Sequence, residues 1–143
     1  MGYYSEVVLA LNEKAKALLD VQIAEIKIKD EAIWTVVDSL LNNSVDHKIE
    51  HPTNGAILYH FGMIKWYESF LDIGFISDFI NKLNNSDYLF IRIGESIDDI
   101  EKNGEFVDNP FNIEVISTIQ YDLSQDDLPD ATATNMLNQD SNQ

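Results

Sequence analysis

An apolar strand pattern that runs directly into a series of carboxylates is the feature that most limits what this chain can fold into. From residue 88 to 93 the side chains alternate between two faces, with Leu89, Ile91 and Ile93 opposite Tyr88, Phe90 and Arg92. Gly94 ends the run. Positions 95 to 114 then hold seven acidic residues and one base, Lys102. The sequence therefore predicts a strand followed by a strongly negative turn.

Three other segments have the composition or alternation of strands. We predict strands at 3–11, 56–67 and 112–122 in addition to 88–95, and Gly62 predicts a bulge in the second of them. The order of these strands in a sheet does not follow from their patterns.

Helices are predicted where apolar residues recur three or four positions apart. One runs from Glu13 to about Ile26 after Asn12 as its cap, and another runs from residue 69 or 72 to Leu83. Asp30 is the expected cap of a helix up to residue 41, although residues 34–37 also suit a strand, and we favour the helix. Residues 42–55 have little periodicity and predict a long loop.

The fold class that follows is α+β, a four-stranded mostly antiparallel sheet with two or three helices on one face. We expect it to occupy residues 1–121 as a single domain, since 143 residues is an ordinary single-domain size. Residues 122–143 carry five acids and no base, and we expect a disordered acidic tail.

The net charge is −16, from 9 basic and 25 acidic residues. Such a charge repels nucleic acid and acidic membrane surfaces and attracts a basic protein. The chain has no cysteine, which excludes a disulfide, a cysteine-zinc site and a thiol nucleophile. Without a basic, apolar leader or a membrane-length apolar run, the expected location is the cytoplasm of a host cell.

Three segments together resemble small acidic proteins encoded by phages and prophages. They are 3–11, the sequence Ile64-Lys65-Trp66-Tyr67, and the block from Tyr88 to Phe111 with Phe90-Ile91-Arg92-Ile93-Gly94-Glu95 and Asp108-Asn109-Pro110-Phe111. The resemblance covers about half of the chain, and residues 27–55 carry none of it. It implies a phage context and no catalytic residue. By analogy, small acidic phage proteins include inhibitors of host defence, among them anti-CRISPR proteins that imitate DNA.

Six carboxylates form the candidate partner-binding site: Glu95, Asp98, Asp99, Glu101, Glu105 and Asp108. Carboxylates on a turn could imitate the phosphates of a nucleic acid and occupy the Lys/Arg groove of a host nucleic-acid-binding protein. The alternative is a solvated loop that only keeps the protein soluble. We predict no catalytic residue, metal site or cofactor. The carboxylate spacing matches no EF-hand loop, and the His47–His51 match to H-x-x-E-H is followed by Pro52, which disfavours helix.

An aromatic face is expected on the sheet. It would comprise Tyr59, Phe61, Lys65 and Tyr67 on one strand and Tyr88, Phe90 and Arg92 on the matching side of another. We expect a helix to cover this face, or a homodimer to form through it. Arg92 is the only arginine, and we expect it to pair with Glu6 or Glu114 on a neighbouring strand.

The leading functional hypothesis is a non-enzymatic phage or prophage protein that inhibits a host nucleic-acid-binding machine through a negatively charged, DNA-like surface. The alternative is a structural or accessory phage protein that acts through homodimer or virion contacts, with its acidity serving solubility alone. An enzyme is the third choice, because no motif carries a reaction.

Overall fold

The structure is a computed structural model, and it describes residues 2–116. In chain order its elements are β1 (Ser5–Leu11), α1 (Glu13–Lys29), α2 (Glu31–Ser39), β2 (His47–Glu50), β3 (Ile57–Ile64), α3 (Leu71–Asn81), β4 (Tyr88–Ile93) and β5 (Ile100–Asn103). A π-helical turn over Leu40–Ser44 continues α2, and a short 3-10 helix over Asn85–Asp87 precedes β4. The predicted α+β class is confirmed, with five strands in the described chain where four were expected.

Strand β1 lies at the centre of an antiparallel sheet with the order β2-β3-β1-β4-β5. Its residue Val7 is paired with Phe61 on β3 and with Arg92 on β4, so these three side chains share a face. The β1–β3 register shifts between Ser5 and Val7, opposite Gly62, where a bulge was predicted. The sheet therefore brings the beginning of the chain beside the end of β4.

All three helices contribute to one hydrophobic core against one face of the sheet. Strand residues of that core include four members of the predicted face, Tyr59, Phe61, Tyr88 and Phe90, all buried. Lys65 and Tyr67, also predicted on this face, lie beyond the end of β3. The helices contribute Ala15, Leu19, Val37, Ile73, Ile76, Phe79 and Ile80. The prediction that helices cover the aromatic face is confirmed.

Two side chains define how the first helices begin. Asn12 accepts a hydrogen bond from the Ala15 N–H at the start of α1, and its amide group also donates to Asp87 at 2.8 Å. Asp30 caps α2 through the Ile33 N–H, while its own N–H donates to the last turn of α1. The helix after Asp30 is thus confirmed, and α1 extends three residues beyond the predicted Ile26.

The predicted loop 42–55 contains an edge strand. Residues 47–50 pair with β3, and all four are exposed, so their sequence lacks the alternation that a half-buried strand shows. His47 therefore lies on a strand, with its ring stacked on that of His60 at 5.5 Å, and the helical spacing of an H-x-x-E-H site is absent.

The predicted strand 112–122 is not found in the part that the structure describes. Asn112 has a φ of 52°, in the left-handed region, which interrupts an extended chain at the first predicted residue. Residues 113–116 form no helix or strand, and positions 117–122 lie outside the described residues. Contacts divide the chain into one unit up to Asn112 and a second from Ile113. The predicted tail 122–143 also lies outside the described residues.

Candidate functional site

The six candidate carboxylates all follow β4 in the chain. Three lie on the turn between β4 and β5, one lies on β5, and two lie on the segment after β5. The sequence predicted a single acidic turn here, whereas residues 100–103 form an edge strand paired with β4. Glu95, Asp98, Glu105 and Asp108 are exposed, and Asp99 and Glu101 are half-buried. We call the segment from Glu95 to Asp108 the acidic segment.

Arg92 holds the two half-buried acids of this segment. Its guanidinium donates to Asp99 Oδ1 at 2.8 Å and to Glu101 Oε1 at 3.0 Å, and it also reaches the buried Ser5 hydroxyl at 3.1 Å. The side chain is only 17% exposed, so solvent screens these ion pairs less than it would on an open surface. The hydrogen bond to Asp99 is the largest cause that raises the pKa of Arg92; partial burial opposes it and Glu101 adds to it.

The expected pairing of Arg92 with Glu6 is therefore wrong, and the alternative partner, Glu114, belongs to the unit that begins at Ile113. Glu6 is paired with Ile93 in the β1–β4 register, and its side chain lies on the sheet face opposite to that of Arg92. It accepts a hydrogen bond from His60 at 2.8 Å instead. Strand β5 places Glu101 directly across from Arg92, and a cross-strand pair of opposite charge stabilises the edge.

Tyr3 fixes the turn from the other side. Its hydroxyl donates to Asp99 and accepts hydrogen bonds from the backbone N–H groups of Glu95 and Ser96, at 2.9 and 3.3 Å. The next residue, Tyr4, donates its backbone N–H to Glu95 Oε2 at 2.7 Å. No sequence pattern predicts this contact, because more than ninety positions separate its two sides and no periodicity links them.

Gly94 makes room for the arrangement. Its N–H donates to the Asp99 carbonyl at 2.8 Å, which closes the turn. A Cβ at this position would overlap both the Asp99 carboxylate and the Tyr3 hydroxyl. Glycine is thus required here for close approach, and the acidic turn has a defined shape although it is largely exposed.

The C-terminal end of the acidic segment is held by backbone hydrogen bonds that do not involve Arg92 or Tyr3. Glu105 donates its N–H to the Asn85 carbonyl at 2.6 Å, and Phe106, which is buried, donates to the Tyr88 carbonyl at 3.1 Å. The Asn109 amide then donates to the Phe106 carbonyl at 2.9 Å. These bonds leave the side chains of Glu105 and Asp108 in solvent.

Exposed carboxylates in this segment have few cations near them. Within residues 2–116, no Lys or Arg nitrogen lies within 4.0 Å of Glu95, Asp98, Glu105 or Asp108. On helix α1, by contrast, Lys16 pairs with Asp20 at 2.7 Å. Ile97, at the tip of the turn, is 96% exposed. Among the described residues, no ion pair therefore neutralises the four exposed carboxylates of the acidic segment.

The pH dependence of the turn follows from Asp99. Arg92, and after it the Tyr3 hydroxyl, lowers the pKa of this carboxyl below its ordinary value of 3.8. Asp99 therefore stabilises the folded turn above pH 3.8, and the contribution is lost as the pH falls through the lowered pKa. A carboxyl titration by NMR should give Asp99 a midpoint below 3.8, and the midpoint should rise in Arg92→Met. Equal midpoints in the two proteins would contradict the Arg92 contact.

Removing the Tyr3 hydroxyl should loosen the turn without unfolding the protein. In Tyr3→Phe, the amides of Glu95 and Ser96 lose their acceptor, and we expect them to exchange with solvent about fivefold faster, as for one lost hydrogen bond. Tyr4→Phe is the matched control, because the described residues offer its hydroxyl no hydrogen-bond partner. Amide exchange followed by NMR measures both, and unchanged rates in Tyr3→Phe would show that the hydroxyl does not hold the turn.

Within residues 2–116 no three His, Asp or Glu side chains are grouped so as to hold a metal ion. In the same range no helix combines the length and apolar character needed to cross a bilayer. Comparisons of the chain with protein-family models, with curated proteins and with solved structures gave no match.

Proposed function

We propose that this protein is a non-enzymatic inhibitor that binds a basic, nucleic-acid-binding host protein through its acidic segment. The observation that carries the proposal is the attachment of this segment, in which Arg92 and Tyr3 fix a turn whose remaining carboxylates face solvent. A surface that is ordered before binding loses less conformational entropy when a partner docks on it. Exposed carboxylates in a fixed arrangement can then face the Lys and Arg side chains that normally contact phosphates.

The distribution of charge favours this segment over other acidic parts of the surface. Six acids lie between 95 and 108 with Arg92 and Lys102 as the nearby bases, which leaves −4 on this part of the chain. Helix α1, by contrast, carries three acids and four lysines, Lys14, Lys16, Lys27 and Lys29. Within residues 2–116, a basic partner is therefore attracted toward the acidic segment more strongly than toward helix α1.

A phage or prophage origin is part of the proposal and rests on the sequence resemblance to such proteins. It supplies the expected setting, the cytoplasm of a bacterial host, and the expected purpose, inhibition of a defence machine of the anti-CRISPR kind. The acidic segment lies within the block from 88 to 111 that carries much of that resemblance.

The test has two steps. The protein is immobilised and used to capture proteins from a bacterial lysate at about 50 mM salt, with a parallel capture at about 500 mM, where surface charges are screened within a few ångströms. Each retained protein is then purified, and its binding to a labelled DNA duplex is measured by fluorescence anisotropy while the acidic protein is added.

The expected result is a nucleic-acid-binding protein that is retained at low salt, released at high salt and displaced from DNA by the acidic protein. Retention that survives high salt, together with unchanged DNA binding, would contradict the proposal. That outcome would favour the alternative of a structural or accessory phage protein that acts through apolar contacts.

A further inference from the structure

A cavity of about 310 Å³ opens where β1, β3 and β4 meet, beside the acidic segment. Its lining combines exposed apolar surface with two carboxylates, from Tyr4, Ser5, Glu6, Gly62, Met63, Ile93, Gly94 and Glu95. The bulge opposite Ser5 and Val7 brings Met63 to this place, and its side chain is 74% exposed. Methionine and tyrosine are enriched where proteins bind one another, since both offer large apolar contact.

A hydrogen bond holds each of the two carboxylates of the cavity in place through one of its oxygens. Glu6 Oε2 is bound by His60 at 2.8 Å, and Glu95 Oε2 is bound by the Tyr4 N–H at 2.7 Å. Among the described residues neither Oε1 atom has a hydrogen-bond donor. A cationic group that enters the cavity would find two acceptors that are already oriented.

A second cavity, of about 360 Å³, lies on the other side of Tyr4 and Met63 and differs in charge. Lys65 and Asp72 both line it, so its formal charges balance, and the Lys65 ammonium lies 5.6 Å from the centre of the Tyr4 ring. A cation is thus already present there, whereas the first cavity is lined by two acids and no base. Charge distinguishes the two cavities, and only the first suits a basic occupant.

We propose that the cavity between Glu6 and Glu95 receives a lysine or arginine side chain of the partner. The proposal rests on the proposed function, whose partner is basic, and it names the group that enters and the place where it binds. The aliphatic part of such a side chain would lie against Met63, Ile93 and the Tyr4 ring, while its charged end would meet the free carboxylate oxygens. Glu95 belongs to both the cavity and the acidic segment, so the two surfaces form one continuous interface.

The experiment follows the methyl group of Met63 by NMR. The full chain, labelled with ¹³C at its three methionine methyl groups, is titrated with a peptide of alternating arginine and glycine, and Met63→Leu assigns the Met63 signal. The control peptide carries citrulline in place of each arginine, which keeps the length and hydrogen-bonding groups but removes the charge. Backbone amide shifts are recorded in the same samples.

We expect the Met63 signal to move and saturate with the arginine peptide and to stay unchanged with the citrulline peptide. In Glu6→Gln/Glu95→Gln the apparent Kd should rise about fivefold, the effect of losing two exposed ion pairs, and the Met63 shift should be largely lost. Asp98→Asn/Asp108→Asn removes the same charge outside the cavity lining and should leave the Met63 shift at saturation intact.

Two outcomes would overturn the inference in different ways. If the arginine peptide moves the amides of the acidic segment but not the Met63 methyl, the cavity is not the binding place, and the proposed function stands. If the peptide moves no signal at low salt, the protein has no affinity for a basic partner, and the proposed function fails with the inference.

Discussion

Replacing Phe61 with alanine should lower the free energy of unfolding by about 3–5 kcal/mol, the usual cost of truncating a phenylalanine in a core. Phe61 is 1% exposed and is paired with Val7 on the central strand. Its ring also lies 5.7 Å from Trp66, which in turn lies 5.8 Å from Phe90 on β4. The truncation removes the Phe61–Trp66 contact, through which β3 is connected to Phe90 on β4, and leaves a cavity in the core.

Chemical denaturation followed by circular dichroism measures this loss. Met63→Ala is the matched control. It truncates a large side chain two residues further along the same strand, and Met63 is 74% exposed. The control should change the unfolding free energy by less than about 0.5 kcal/mol. Equal losses in the two variants would contradict the position of the core on this face of the sheet.

Replacing Gly104 with alanine should cost about 3 kcal/mol or more in unfolding free energy, from a strained backbone and a steric overlap together. Gly104 has a φ of +90°, which side chains rarely allow, and a Cβ there would overlap the Tyr88 carbonyl oxygen. That carbonyl accepts the N–H of Phe106. The substitution should therefore also detach the end of the acidic segment.

Two measurements check the Gly104 prediction. Denaturation gives the stability loss, and NMR gives the local effect, which should be the largest amide shifts and loss of exchange protection at Glu105 and Phe106. Gly62→Ala is the control, since its φ is outside the left-handed region and its added Cβ would lie 3.1 Å from an Asp46 carboxylate oxygen. That oxygen accepts the Gly62 N–H and would need to shift by only a few tenths of an ångström. Similar losses in both variants would show that Gly104 has no special role.

Local patterns in the sequence predicted the parts of the fold that depend on neighbouring residues. Asn12 and Asp30 begin α1 and α2 because their short side chains satisfy free N–H groups, and this requires only residues three positions away. Strands β1, β3 and β4 were predicted because they are half-buried or buried and rich in apolar residues.

The edge strands could not be predicted in the same way. Residues 47–50 are all exposed, and residues 100–103 are polar apart from Ile100, so neither has an alternating pattern. Each becomes a strand because an established strand offers free hydrogen-bonding groups beside it. The segment from 112 shows the reverse case, where an alternating pattern is present but Asn112 has a left-handed backbone and residues 113–116 form no strand.

The candidate site shows the same limit. Its carboxylates were identified from composition alone, but the partner of Arg92 depends on strand order, which the sequence left open. Once β5 lies next to β4, Glu101 is nearer to Arg92 than the predicted Glu6. Tyr3 reaches the turn only because β1 is paired with β4, a contact between the two ends of the described chain.

The measurement that most directly tests the proposed binding surface compares two triple variants that remove the same charge. Asp98→Asn/Glu105→Gln/Asp108→Asn neutralises exposed acids of the acidic segment, and Glu25→Gln/Glu31→Gln/Asp78→Asn neutralises exposed acids on the helices. Calorimetric titration of the captured basic partner should give about a tenfold higher Kd for the first variant, from three exposed ion pairs of about 0.5 kcal/mol each. The second should stay within about twofold of the unaltered protein. Equal weakening in both variants, or none in the first, would contradict a binding surface located on the acidic segment.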